Sequence, residues 1–188
     1  MPDFFVYSRD AAGTAALRDD DVLLERHWSY MDEFAESMIA RGPTLAPDRE
    51  TATGSLHVLG LPGVDAAHEF VAREPNHRAG VYAEHSVWRF ENLLGRTMWE
   101  FPGAADELRF LIITRSRGGR PALPGSLSTP LHERLILYGA LTALDDTGPA
   151  GVALAVQAPA REAVDALLEE LDVFSEIEIH DWEFGGRR

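Results

Sequence analysis

Two titratable residues stand out because each falls on the apolar stripe of a predicted helix: His27 and Glu74. His27 shares its stripe with Met31 and Phe34, so its imidazole should face the interior or the mouth of a pocket. Glu74 continues the stripe of Phe70, which directs a carboxylate inward in the last turn of its helix. A partly desolvated carboxylate beside an imidazole suits general acid/base catalysis near neutral pH. These two residues are therefore the candidate catalytic pair.

The same spacing also fits a structural interpretation of both residues. His27 would then be a half-buried histidine whose hydrogen bonds are satisfied, and Glu74 an ordinary solvated residue at the C-terminal end of a helix. Buried ion pairs are often structural rather than catalytic. Spacing alone leaves both interpretations open.

Three further histidines, His57, His77 and His85, could join His27 in a metal site, because a chain without cysteine would bind a metal through histidine and carboxylate ligands. None of the four has the His-x-His or His-x3-His spacing that aligns two ligands on one element. Surface or strand histidines are the simpler interpretation, so the sequence predicts no metal. We expect His77 to lie in a loop near the site and to contact the substrate.

Arg26, Tyr82 and Trp88 could orient an anionic or aromatic ligand, although each also fits an ordinary helix-surface or strand position. Together with His77 they are the candidate substrate-binding residues. The chain has no glycine-rich phosphate loop, no Ser/His/Asp arrangement and no nucleotide fingerprint. The sequence therefore predicts no cofactor and a small organic molecule as the ligand.

Composition limits the classes of partner. The formal net charge is −14, and no cluster of Lys and Arg with interleaved aromatic residues offsets the resulting repulsion of phosphate backbones. No apolar stretch is long enough to cross a bilayer, and the chain opens on a strand-like run, Phe4-Phe5-Val6-Tyr7. We expect a cytoplasmic globular protein that binds neither nucleic acid nor a membrane.

The elements that must hold these residues follow the order strand, helix, an optional extended segment, strand, helix and strand. The first helix should begin at Asp21 and end at Gly42, before Pro43, with 42–47 as an extended, edge-like segment. The second helix should end before Pro75, because the residue that precedes a proline avoids the α region. The predicted strands are 4–8, 56–59 and 81–90, and the predicted helices are 21–42 and 64–74.

The remainder of the chain repeats this order, which indicates a duplication. The residues that match are Gly54 with Gly151, Pro62 with Pro159, Ala66 with Ala163 and Trp88 with Trp182. The second copy should begin with a strand at 108–114. Its first helix should be shortened to about 131–138, after a Gly/Pro-rich loop at 117–130.

Residues 3–90 resemble the YciI-like (YCII-related) family of small αβ units with a ferredoxin-like fold. The resemblance rests on the joint order of Phe4-Phe5-Val6-Tyr7, His27, Gly42-Pro43, Thr53-Gly54-Ser55, Glu74-Pro75 and Ala79-Gly80-Val81-Tyr82. In this family, a histidine of the first helix and an aspartate before a proline at the end of the second helix are the suspected acid/base pair. His27 matches the histidine, whereas Glu74 replaces the aspartate and moves the carboxylate beyond the roughly 0.5 Å that catalytic geometry tolerates.

Family members usually pair sheet against sheet as dimers, so a tandem copy implies the same pairing within one chain. The resemblance thus implies an α+β fold of two ferredoxin-like units in tandem, which form an intrachain dimeric αβ-barrel-like pseudo-dimer. The first unit would span 1–91 and carry the site, and a degenerate second unit would span 107–188 after a linker at 92–106. A homodimer of such chains is compatible with this arrangement but not required by it.

The second copy lacks the candidate pair. Leu171 takes the position of Glu74, the position of His27 falls at Pro124, and His132 is out of register. We therefore expect one site per chain, with the second copy as its scaffold.

Two functions fit these residues. The first, which the resemblance implies, is a cofactor-independent enzyme of isomerase or lyase/dehydrochlorinase type, in which His27 and Glu74 move protons on a small organic molecule. The second is a noncatalytic small-molecule-binding or accessory protein, which the replacement of aspartate by Glu74 and the degenerate second copy favour. The sequence does not identify the substrate.

Overall fold

The computed structural model describes residues 1–103, 107–115, 129–145, 148–170 and 176–185, which form eight strands, six α-helices and one 3-10 helix, Met98–Glu100. The strands are β1 (Asp3–Asp10), β2 (Met38–Leu45), β3 (Ala52–Gly60), β4 (Tyr82–Asn92), β5 (Leu108–Arg115), β6 (Leu135–Thr142), β7 (Pro149–Ala158) and β8 (Glu176–Trp182). The helices are α1 (Ala15–Arg18), α2 (Asp21–Asp32), α3 (Val64–Arg73), α4 (Pro75–Arg78), α5 (Thr129–Arg134) and α6 (Arg161–Glu170).

The strands pair antiparallel and close into a barrel in the order β1-β3-β2-β8-β5-β7-β6-β4. Within residues 3–92 the order is β4-β1-β3-β2, and within residues 108–182 it is β8-β5-β7-β6. Two seams join these halves: β2 pairs with β8, and β4 pairs with β6. Closure leaves none of the eight described strands at a sheet edge. The predicted α+β class and barrel-like architecture are confirmed.

The two halves also share their irregularities. The register of β2 against β3 shifts twice, and the register of β6 against β7 shifts at the two corresponding places. These shifts fall between Met38 and Ala40, between Thr44 and Leu45, between Leu135 and Leu137, and between Leu141 and Thr142. Such bulges are designed features of a strand rather than defects, so their repetition is a second likeness between the halves.

Successive side chains along each strand point alternately into the barrel and toward the helices outside it, so the protein has an inner core and outer cores. In β1, Phe5 and Tyr7 face the barrel interior, where they join a cluster with residues of the second half such as Leu111 and Trp182. The intervening Phe4 packs on the other side, against the helices α2 and α3. A corresponding outer cluster covers the second half beneath α6.

The predicted end of the first helix was wrong. Helix α2 ends at Asp32, and the run that begins at Met38 is strand β2 rather than helix, with Gly42 and Pro43 inside it. Helical spacing had included Met38, but its backbone pairs with Leu59 of β3 instead. Nor is β2 an edge, because β8 binds its second side at Thr44.

A helix of the second half was mispredicted in the same way. Helix α5 covers Thr129–Arg134, whereas the predicted helix at 131–138 overlaps β6, whose backbone pairs with β7. Pro124, Leu171 and most of the predicted loop at 117–130 lie outside the described residues. Within the described ranges, no helix is long and apolar enough to span a membrane.

Candidate active site

A cavity of about 350 Å³ lies on the outer side of β2 and β3, beneath α1, α2 and α4. Helices supply one wall and the sheet the other, and the segment after β8 closes one side. The lining residues are Arg18, Asp19, Leu24, His27, Trp28, Met31, Arg41, Gly42, Pro43, Ala52, Ser55, His57, Asn76, Phe184 and Gly185. Its size and its mixture of apolar walls with a few polar groups suit a small organic ligand.

His27 and Glu74 meet at the wall of this cavity. Asp20 caps α2 by accepting a hydrogen bond from the backbone N–H of Leu23 at 2.8 Å, which fixes the start of the helix that carries His27. His27 Nδ1 lies 2.6 Å from Glu74 Oε1. Because a carboxylate accepts, this contact assigns the Nδ1 hydrogen to His27 and leaves Nε2 as the remaining ring nitrogen.

Glu74 does not occupy the predicted last turn of its helix. Helix α3 ends at Arg73, and Glu74 has an extended backbone that also caps the short helix α4. Its Oε2 accepts a hydrogen bond from the backbone N–H of His77 at 2.7 Å, and Pro75 occupies the first position of α4. Glu74 is 3% exposed, so the alternative of a solvated helix residue is wrong. Both of its oxygens are thus committed.

His57 is a second imidazole at the same cavity. It lies in the middle of β3, is buried, and its ring centroid is 5.7 Å from that of His27. Burial, followed by the nearby charges of His27, Arg18 and Arg41, lowers the pKa of His57 well below its ordinary range. The ring is therefore neutral at physiological pH.

Arg18 is held rigidly at the cavity wall. Its Nη2 donates to the backbone oxygen of Gly54 and to Ser55 Oγ, both at 2.7 Å. Its Nε lies 3.3 Å from a carboxylate oxygen of Asp10. A guanidinium with several fixed partners loses little further freedom when a ligand binds, which makes it a preorganised cationic wall.

Tyr82 supports this wall from behind. Its hydroxyl donates to Ser55 Oγ at 3.1 Å and accepts from Asn76 Nδ2 at 3.3 Å, and both partners line the cavity. Burial, with the nearby carboxylate of Glu74 as a smaller cause, raises the pKa of Tyr82. Tyr82 therefore stays protonated, and its hydroxyl positions Ser55 and Asn76 at the cavity wall.

The second half of the chain reaches the cavity through the segment after β8. Gly185 donates its backbone N–H to the carbonyl of Arg41 at 3.0 Å, and Arg41 Nε donates to the carbonyl of Gly185 at 3.2 Å. Phe184 lines the cavity, and the guanidinium of Arg109 lies 4.4 Å from its ring centroid. The site is thus built from both halves.

The other predicted site residues lie elsewhere. Arg26 is exposed on α2 and does not line the cavity. Trp88 points into the barrel interior, with its ring centroid 5.8 Å from that of Phe5. His77 lies in α4 rather than in a loop, and its side chain turns to His85.

His77 and His85 form a separate imidazole pair. His77 Nδ1 lies 2.6 Å from His85 Nε2, and His85 Nδ1 lies 2.8 Å from Ser8 Oγ. Burial, followed by the charge of His77, lowers the pKa of His85. In the part of the chain that the structure describes, no group of three or more His, Cys, Asp or Glu side chains could hold a metal ion.

Sequence reasoning missed several residues of the cavity wall, and the polar ones that bear on the proposal are Arg18, Arg41, Ser55 and Asn76. Arg41 and Ser55 lie beside Gly42-Pro43 and Gly54, which the sequence had singled out, so proximity to those motifs was an available signal. The position of Arg18 has no such signal, because α1 has only four residues and no periodicity.

Comparisons with solved structures agree with the barrel. A variant chlorite dismutase from Candidatus Nitrospira defluvii is 7% identical with a TM-score of 0.56, covering 96% of this chain and 91% of its own. A monooxygenase-like protein from Lactobacillus acidophilus NCFM is 9% identical with a TM-score of 0.50, covering 97% and 93%. At these identities the likeness shows the fold alone.

The remaining comparisons cover part of the chain or find nothing. The 5-chloro-2-hydroxyhydroquinone dehydrochlorinase of Burkholderia phenoliruptrix AC1100, solved in complex with 2,5-dihydroxybenzoquinone, is 26% identical with a TM-score of 0.44, covering 50% of this chain and 98% of its own. A search of curated proteins finds no match. The model of the YCII-related domain matches residues 4–91, which confirms the resemblance drawn for that segment and includes both His27 and Glu74.

Proposed function

We propose that this chain is a cofactor-independent enzyme that moves protons on a small organic molecule, with His27 and Glu74 as its acid/base pair. The observation that carries the proposal is the 2.6 Å contact between His27 Nδ1 and Glu74 Oε1 at the wall of a cavity of about 350 Å³. A base that a buried carboxylate orients is an arrangement typical of general acid/base catalysis.

In this mechanism Glu74 fixes the tautomer and orientation of His27, and Nε2 of His27 takes a proton from the ligand. Return of that proton to another atom of the ligand gives an isomerase, and loss of a leaving group from the neighbouring carbon gives a lyase of dehydrochlorinase type. Glu74 stabilises the imidazolium that forms in between. The fixed cations Arg18 and Arg41 favour a ligand on which negative charge develops.

We further propose that the chain is a tandem duplication in which 1–91 carries the site, 92–106 is a linker and 107–188 is a degenerate copy. The equal strand order of the two halves and their matching register shifts support this proposal. The barrel would then be an intrachain pseudo-dimer, and the second copy would contribute Phe184 and Gly185 to a single site.

The alternative is a noncatalytic small-molecule-binding or accessory protein. The capping of α4 by Glu74 favours it, because a carboxylate that satisfies a helix terminus has a structural role whether or not it serves catalysis. In that case the His27–Glu74 pair would shape the cavity without turnover.

A ligand screen on matched proteins tests the proposal. The wild type and His27→Ala are screened by thermal shift against small organic acids, phenols and lactones, and every compound that raises the wild-type Tm is then followed for chemical conversion. We expect a compound that the wild type converts and His27→Ala does not. Ligands recovered unchanged from the wild type would instead support the accessory role.

A further inference from the structure

His57 differs from His27, the other cavity histidine, because no described residue forms a hydrogen bond with its ring. It lies at the middle of β3, opposite Val6 of β1 and Arg41 of β2, and it is 3% exposed. Among the described residues, no group forms a hydrogen bond with either of its ring nitrogens. Neither ring nitrogen of His57 is among the fully buried side-chain atoms that lack a hydrogen bond. Since His57 lines the cavity, its ring can reach a ligand there.

The surroundings of His57 explain why this ring stays uncharged. The edge of Phe70 packs against it, with ring centroids 5.6 Å apart. The ionisable groups that oppose a positive charge on it are His27, Arg18, Arg41 and His85. A neutral imidazole offers one N–H donor and one nitrogen acceptor, and leaving both unmade in a buried place is costly.

We propose that His57 is a ligand-contacting residue of the cavity, which forms a hydrogen bond with a hydroxyl or carbonyl oxygen on a ring compound. The inference rests on the proposed function, because it adds a contact to the same site. The ring centroids of His57 and His27 are 5.7 Å apart, so two oxygen-bearing or proton-bearing atoms of one small ring can meet both imidazoles.

The chemistry of the wall suits a ring compound that carries a hydroxyl or carbonyl oxygen. A hydroxyl can donate to the His57 acceptor nitrogen or accept from its N–H, and a neutral imidazole can polarise such an oxygen without itself releasing a proton. Trp28 and Phe184 supply aromatic surface for the ring, and Arg18 supplies a fixed positive charge. His57 thus holds the oxygen while His27 moves the proton.

The test uses 4-nitrophenol as the probe, because its absorption reports its own protonation. Imidazole ¹⁵N spectra of the wild type are recorded with and without the probe, and its Kd is measured for the wild type, His57→Leu and the control His68→Leu, which alters an exposed histidine of α3. We expect the His57 nitrogen signals to move, the Kd of His57→Leu to rise at least tenfold, and His68→Leu to bind as the wild type does.

Stability separates this role from a structural one. Because no described residue forms a hydrogen bond with His57 and leucine keeps an apolar contact with Phe70, His57→Leu should keep the Tm of the wild type or raise it while it loses the probe. An unchanged Kd, His57 signals that do not move, or a wild type that does not bind the probe would each overturn the inference. If His57→Leu does not fold, the wild-type spectra decide. The two proposals can fail separately. If His27→Ala loses turnover while His57→Leu binds the probe as the wild type does, the proposed function holds and the role of His57 is refuted.

Discussion

His27 Nδ1 and Glu74 Oε1 lie 2.6 Å apart, although 47 positions separate the two residues along the chain. The pair joins the middle of α2 to the junction between α3 and α4, so three elements must dock before it can form. Since Glu74 is buried, its charge depends on this imidazole and on the N-terminus of α4 for stabilisation.

Substitution of this pair should separate turnover from folding. We expect His27→Ala to lower kcat by roughly 10² to 10⁴, the range of a general acid/base. Glu74→Gln should fold, because its amide oxygen can still cap α4, yet kcat should fall because the imidazolium loses its counter-charge. The control is His68→Ala, which removes an exposed imidazole. Equal kcat in the wild type and His27→Ala would exclude His27 as the catalytic group.

Glu74→Asp tests the departure from the family pattern. Aspartate restores the residue type that the resemblance implies, but its side chain is shorter, so it cannot keep both the contact with His27 and the cap of α4 at their present distances. We expect a lower Tm than that of the wild type and a reduced kcat. A kcat above that of the wild type, measured on the same compound, would mean that aspartate places the carboxylate better for catalysis than glutamate does at position 74.

Phe184 should affect ligand binding although it belongs to the second half. Its ring lines the cavity and is fixed by Arg109, so Phe184→Ala removes an aromatic wall. Loss of an aromatic contact corresponds to a roughly threefold to tenfold increase in Kd for a ring compound. The control is Phe101→Ala, another half-buried ring beneath a guanidinium, but one that does not line the cavity. Equal Kd values for these two variants would count against a composite site.

Acid should destabilise the fold through His57. Burial lowers the pKa of His57 well below 6.5 in the folded protein, whereas the unfolded chain titrates near that value. The unfolded state therefore binds more protons as pH falls below about 6.5, and the free energy of unfolding decreases by at most about 1.4 kcal/mol per pH unit for this residue. In denaturant titrations from pH 8 to 5, His57→Gln should show a shallower decline than the wild type. Parallel curves would contradict this.

The sequence predicted those features of the fold that depend on residues close together along the chain. The stripe through Met31 correctly directed His27 inward, and Pro75 correctly marked the end of α3. Met38 also fitted the helical stripe, but pairing with Leu59 decided its structure. Short apolar runs are ambiguous between helix and buried strand, and only the partner strand resolves them.

The cavity wall was less predictable than the contact between His27 and Glu74. His57 looked like a strand or metal-site histidine, because nothing in the run Leu56-His57-Val58 shows which face of the strand meets a cavity. Phe184 reaches the site only because β8 pairs with β2 across the barrel seam. Such contacts follow from barrel closure, which no local pattern encodes.

Glycines at the two seams test whether both halves close in the same way. A Cβ at Gly42 would lie 1.9 Å from the carbonyl oxygen of Glu183, and a Cβ at Gly139 would lie 2.3 Å from that of Glu91. Each is a backbone clash across a junction between the halves, so Gly42→Ala and Gly139→Ala should each lower the free energy of unfolding by about 1–3 kcal/mol. The matched control is Gly63→Ala, because a Cβ there meets no atom within 4 Å and its backbone is extended.

Chemical denaturation of these three variants gives the comparison. If the seams are equivalent, Gly42→Ala and Gly139→Ala should lose similar stability, and Gly63→Ala should stay within about 0.5 kcal/mol of the wild type. Only Gly42→Ala should also weaken ligand binding, because Gly42 lines the cavity and Gly139 does not. If Gly139→Ala loses ligand binding at temperatures where it remains folded, the shape of the cavity depends on closure of the barrel at the distant seam between β4 and β6.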